Sequence, residues 1–216
     1  MANHTLALRH QFDDVEQQKD ASTLGMWIFL ATEILFFGGM FCCYTVYRSS
    51  YPAAFGLASN HLDVILGAVS TAVLIISSFT MACAVNSAAT GAKNALVAFL
   101  GVTILFAAAF LVVEMSEWHM LYKEGLMPGF NFTYNEVDPS HVQLFFSLYF
   151  AMTGLHASHV TIGIVLLAVM AFRARRGVFT PKYYTPIEIS GLYWHFVDLV
   201  WIFLFPLYHL IARHLH

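Results

Sequence analysis

Between Gly191 and Tyr208 the chain reads GLYWHFVDLVWIFLFPLY, which sets His195 and Asp198 three residues apart in a run that is otherwise aromatic and aliphatic. An ionisable group inside a segment long enough to cross a bilayer is costly unless it is paired or solvated, so such groups are the first candidates for chemistry. Glu33, Glu114, Glu117, His156 and His159 also lie within apolar runs. Glu114/Glu117, His156/His159 and His195/Asp198 are i, i+3 pairs, a spacing that puts both members on one side of a helix. Three readings of this set are open. It could be a network of interhelical hydrogen bonds and ion pairs that fixes helix register, since unpaired members would each cost several kcal/mol. It could be a metal site, because acid and histidine pairs on different helices line di-iron bundles, although the full carboxylate set and the paired Glu-x-x-His motifs are missing. It could be a proton or ion path in which Glu33 is the relay.

The elements that must position these groups are membrane helices. The chain is 59% hydrophobic, 16% aromatic and only 11% charged over 216 residues, with a mean hydropathy of +0.67. That places it in the membrane class. Five apolar runs reach the roughly 20 residues a spanning helix needs: 24–47, 62–85, 95–122, 142–172 and 187–211. None alternates every second residue as a membrane β-strand would. The expected fold is therefore all-α, a polytopic bundle of five transmembrane helices, with residues 1–21 a polar cytoplasmic tail and 22–216 the membrane domain. The tail is acidic and lacks a signal peptide's basic start, so the first span acts as its own insertion signal.

Start and stop signals fit these runs. Asn60 can cap the second span with Asp63 in its first turn, Ser140 and Gln143 suit a capping box behind Pro139, and Pro186 opens the fifth. Small residues such as Gly38, Gly39, Gly67, Ser70, Thr71, Ser77 and Ser78 allow close helix approach. Trp27, Tyr47, Trp118 and Tyr122 suit the headgroup level. Cys42, Cys43 and Cys83 show no metal or haem spacing and read as packing residues. A net charge of −3 with scattered basic residues leaves no nucleic-acid footprint. Seven lysines and arginines fall on one side of the spans and three on the other, which puts the N-terminus in the cytoplasm and the C-terminus outside.

At 1.5 Å per residue, Glu33 and His195 lie about 13 Å from the cytoplasmic span ends, and Asp198 and His159 about 18 Å, near the middle of a ~30 Å core. Glu117 and His156 lie closer to the outer boundary. The arithmetic suggests a mid-membrane His159–Asp198 pair and a higher Glu117–His156 pair.

The stretches TEILFFGGMF (32–41), SEWHMLYKEG (116–125), FFSLYFAMTGLHASHVTIG (145–163) and YWHFVDLVWIFLFPLY (193–208) together resemble the cytochrome c oxidase subunit III family. The resemblance runs from about Leu24 to the C-terminus. It implies an accessory subunit of a respiratory haem-copper terminal oxidase that stabilises the catalytic subunit and supports oxygen access and proton uptake. It further implies no catalytic, cofactor or metal residue in this chain, haem and copper in partner subunits (subunit I above all), bound phospholipid, and a bacterial plasma membrane rather than a mitochondrial one. Glu33 matches the family's membrane-buried glutamate, facing the side near the catalytic subunit. Glu114, Glu117, His156, His159, His195 and Asp198 would form a structural polar network, with His195 and Asp198 clamping the fourth span to the fifth. The two helices that precede the equivalent of Leu24 in the seven-helix form have no counterpart here, so one wall of that form's lipid cleft would be open to lipid or supplied by a partner. The five-span form also occurs in quinol oxidases and in an accessory protein of nitric oxide reduction; the glutamate in TEILFF leans toward the cytochrome c type.

Overall fold

The computed structural model describes residues 11–210, and these form six helices: α1 (Val15–Ser50), α2 (Pro52–Ser59), α3 (Val64–Thr90), α4 (Lys93–Lys123), α5 (Pro139–Arg175) and α6 (Thr185–His209). Five of them, all but α2, are long and apolar enough to cross a membrane. They coincide with the five expected runs but extend beyond them by several residues at most ends. The largest extension is at α1, whose first turns occupy residues 15–21 of the stretch read as tail. Residues 1–10 and 211–216, with the expected end of the fifth span at Ile211, lie outside the described residues.

Local signals explain most boundaries. Asp14 caps α1 by accepting the Gln17 N–H at 2.7 Å. Asp63 itself caps α3, accepting from the Ile65 and Leu66 amides, while Asn60 closes α2; the expected Asn60 cap is replaced because α2 intervenes. α3 ends in a Schellman motif, with Gly91 at φ 77° and the Ala92 N–H on the Ser87 carbonyl, which folds α4 back antiparallel within two residues. The capping box at Ser140 does not form. Asp138 precedes Pro139 in left-handed backbone and spends its carboxylate on His141 Nδ1 at 2.7 Å. Pro186 sits in the first turn of α6, as expected.

α2 was absent from the expectations because eight residues give too short an apolar run to register as an element. It is held by burial of Ala54, Phe55 and Ala58, with the Phe55 ring edge-on to Phe145 at 5.4 Å and Tyr44 at 5.5 Å.

α6 is the hub. It packs on α1, α3 and α5 and buries the largest share of any span, including Trp194, Trp201 and Tyr208, whereas α1 buries the least. α4 packs on α3 and α5 from the other side. Close approach depends on Gly163, where a Cβ would stand 2.6 Å from the Trp194 ring and 3.3 Å from Tyr193. Cys42 and Cys43 are exposed on α1 instead of packed, and Cys83 is half-buried.

Because two rigid rings face Gly163, Gly163→Ala is expected to lower stability by about 1–3 kcal/mol. Gly101→Ala, in open space on α4, is expected to hold or raise it through helix propensity. Thermal unfolding followed by circular dichroism in detergent checks both, and equal shifts would contradict the packing described.

Candidate functional site

The acids and histidines singled out from the sequence fall into two bonded clusters, one histidine–serine contact and two positions without a hydrogen-bond partner among the described residues. The first cluster lies where the C-terminal ends of α4 and α6 meet the start of α3 and the flank of α5. Glu117 is 4% exposed, and its carboxylate receives three donors. Oε1 accepts from the Asp63 amide at 3.3 Å and faces His209 Nε2 at 3.2 Å; Oε2 accepts the Tyr149 hydroxyl at 3.0 Å. Four helices are thereby tied to one side chain. Nearby, Glu114 accepts the Trp118 indole N–H at 3.1 Å, which turns Trp118 inward from its expected interfacial position.

The second cluster is at mid-length of α1 and α5. His159 Nε2 stands 3.2 Å from Glu33 Oε2, an ion-pair distance without the alignment of a directed hydrogen bond. His159 Nδ1 lies 2.9 Å from the Leu155 carbonyl, which can only accept, so Nδ1 carries a hydrogen. Both side chains keep partial exposure, 13% for His159 and 18% for Glu33. Phe37 closes one side with its ring edge-on to His159 at 5.6 Å, and the Tyr193 hydroxyl donates to the His159 carbonyl at 2.9 Å.

The expected pairings are both overturned. Glu117 bonds His209 and Tyr149, not His156, and His159 bonds Glu33, not Asp198. Neither nitrogen of His156 meets a hydrogen-bond partner among the described residues; the ring packs in an aromatic cluster with Trp201 at 5.2 Å and Phe110, edge-on, at 5.5 Å, the latter two being 4.7 Å apart. His195 Nδ1 meets Ser78 Oγ of α3 at 2.7 Å, so it ties α6 to α3 and not to α5. Both oxygens of Asp198 are buried without a partner among the described residues, which removes the expected clamp.

His209, Tyr149 and the tryptophans of α6 were missed as bonding partners. Trp194 Nε1 donates to Ser77 Oγ and Trp201 Nε1 to Thr71 Oγ1, both at 3.1 Å. The signal was available: a tryptophan indole in an apolar run needs an acceptor, and the small polar residues of α3 supply it. Among the described residues no group of three or more His, Cys, Asp or Glu side chains is gathered for a metal ion.

A bundle of five spanning helices with polar groups spent mainly on helix-to-helix links defines a polytopic membrane protein whose interior is built for assembly. The chain belongs to the cytochrome c oxidase subunit III family, whose model matches residues 9–211. Cytochrome bo(3) ubiquinol oxidase subunit 3 of Pseudomonas putida is 33% identical over 195 residues, covering 88% of this chain and 86% of the relative. Quinol oxidase subunit 3 of Bacillus subtilis is 34% identical over 183 residues (84% and 83%). Cytochrome c oxidase subunit 3 of Synechocystis is 32% identical over 193 residues (89% and 76%).

Tyr149→Phe removes one bond from Glu117 and is expected to cost about 0.5–1.5 kcal/mol. Glu117→Leu strands a buried histidine, a hydroxyl and a backbone amide together and is expected to cost about 3–5 kcal/mol. Thermal unfolding of the two variants in detergent compares them; equal losses would mean that Glu117 does not join the helices.

Proposed function

We propose that this chain is an accessory, non-redox subunit of a haem-copper terminal oxidase in a bacterial plasma membrane. Haem and copper reside in partner subunits, and the N-terminal end of α1 faces the cytoplasm. The observation that carries this reading is the family match over residues 9–211, with relatives named as subunit 3 of both quinol and cytochrome c oxidases. The orientation rests on the lysine and arginine asymmetry alone. Binding of phospholipid is supported by the wide apolar exposure of α1, where Leu35, Leu24 and Ile28 all face outward.

Within that role, the Glu33–His159 pair is the group suited to proton supply. It brings an acid and a histidine within 3.2 Å near mid-length of α1 and α5, it is partly exposed, and no other acid in the described residues pairs with a histidine at that level. The polar links elsewhere serve helix register. The proton need not cross this chain to matter: a protonatable pair beside the catalytic partner steadies local proton and oxygen access.

A tagged chain extracted from its host membrane in mild detergent is expected to elute with a larger haem-bearing partner, detected by its visible spectrum. Elution alone with stoichiometric iron or copper would overturn the reading in favour of a stand-alone metalloenzyme. Glu33→Gln is expected to leave assembly and initial oxidase rate unchanged while shortening activity over many turnovers. Identical time courses for the variant and the parent complex would remove Glu33 from the function.

A further inference from the structure

One polar constellation is used by neither the bundle nor the proposed function. Asp198 sits at mid-length of α6, about 20 Å from Thr185 and about 17 Å from His209 along the axis. Its residue is 4% exposed, yet neither carboxylate oxygen has a hydrogen-bond partner among the described residues. The carboxyl lines a cavity of about 380 Å³ between α3 and α6, together with Ser78, Ala82, His195, Leu199 and Ile202. Protonation does not resolve the deficit, because a neutral carboxyl carries an O–H that needs an acceptor in turn.

Depth decides what can satisfy it. Lipid headgroups lie roughly 15 Å from the centre of a ~30 Å hydrocarbon core, and acyl chains carry no donor. A protein helix can bring a donor to that level. The walls suit one: Ser78 and Ala82 are small and one turn apart on α3, the spacing that lets a neighbouring helix approach closely. The flanks protrude and are apolar, with Phe79 68% exposed, Ile75 53% and Leu199 49%. The Ser78 hydroxyl also lies near Asp198, but it meets His195 at 2.7 Å and makes no bond of hydrogen-bond geometry with either Asp198 oxygen, so both oxygens stay open on the floor.

We propose that the α3/α6 groove seats a transmembrane helix of the haem-bearing partner subunit, and that a hydrogen-bond donor on this helix, from a hydroxyl, amide, indole or basic side chain, caps Asp198. This rests on the chain being an oxidase subunit and adds which face docks and which residue anchors it. Asp198 is a positioning residue for assembly and not a catalytic one.

The test uses the complete complex in its own membrane. A benzophenone amino acid replaces Phe79 in the groove, and separately Leu105, 67% exposed on α4, as the measure of background labelling. On illumination the Phe79 position is expected to give an adduct to the haem-bearing subunit, mapped by peptide mass spectrometry to one transmembrane helix with a polar side chain at mid-depth. Adducts from that position to lipid alone, or to a second copy of this chain, would overturn the proposal. In a second arm, Asp198→Leu is expected to cut retention of this chain in the detergent-washed complex at least fivefold. Asp198→Asn, which keeps an acceptor oxygen, is expected to restore most of it. The unfolding temperature of the isolated Asp198→Leu chain is expected to match or exceed the parent's, because Asp198 makes no bond within it. Undiminished retention of Asp198→Leu would remove Asp198 as the anchor. If the parent chain brings down no haem protein at all, the oxidase reading fails and the groove proposal with it; a parent complex that forms while Phe79 labels only lipid sinks the groove alone.

Discussion

The structure depends on a carboxylate that cannot be left alone. Glu117 is buried where hydrocarbon offers no compensating water, so its oxygens must be met by the chain itself, and a backbone amide, a tyrosine hydroxyl and a histidine converge on them. That requirement is geometric as well as energetic. The Asp63 amide is presented only if α3 starts where it does, Tyr149 only at one rotation of α5, and His209 only if α6 runs its full length. Tyr44 reinforces the same end by donating to the Leu207 carbonyl at 2.6 Å, in the last turn of α6, where carbonyls run out of partners within the helix. In lipid, apolar surface gives helices little reason to associate in one register over another. Polar convergence supplies the register, and the aromatic packing of Tyr44, Phe145, Tyr149 and Tyr208 fills the space around it.

The Glu33–His159 pair obeys the same rule under looser conditions. It joins only two helices, at the flank where the least buried span meets the bundle, and it retains partial exposure. A contact so placed could loosen without dismantling the fold, which the Glu117 cluster, tied to four helices, could not. Position separates the two: the acid bound by three donors holds the helices, and the acid at the rim has one histidine as its contact.

Much of this was legible in the chain. The five spans came from run length, and most of the acids and histidines that do something unusual were picked out by their depth, His209 being the exception. What failed was pairing. Counting residues gives an axial coordinate at 1.5 Å per step but says nothing about which neighbour a side chain faces. An i, i+3 pair shares one side of a helix, yet its members are still turned by roughly 60° from each other. That angle is enough to send His156 into a cluster with Trp201 and Phe110 while His159 reaches α1, and to set His195 against Ser78 while Asp198 makes no hydrogen bond. His209 escaped notice because it sits at the tail of an apolar run, where a histidine reads as interfacial. Only the approach of Glu117 from α4 reveals it as buried.

Two kinds of buried polar group therefore coexist in α6, and the contrast is informative. Trp194, Trp201 and His209 face inward and each meets a partner on another helix of this chain. Asp198 lies on the same helix at the same depth as those tryptophans and meets none. The indoles of α6 each find an acceptor within the chain, whereas Asp198, like His156 on α5, finds none, and an unmet carboxyl in hydrocarbon is the costlier of the two. Family membership implies association with other oxidase subunits, and the proposed docking of a partner helix in the α3/α6 groove would meet that demand. The tryptophans and His209 let the chain fold; Asp198, buried at the floor of the groove, is the group that docking would satisfy.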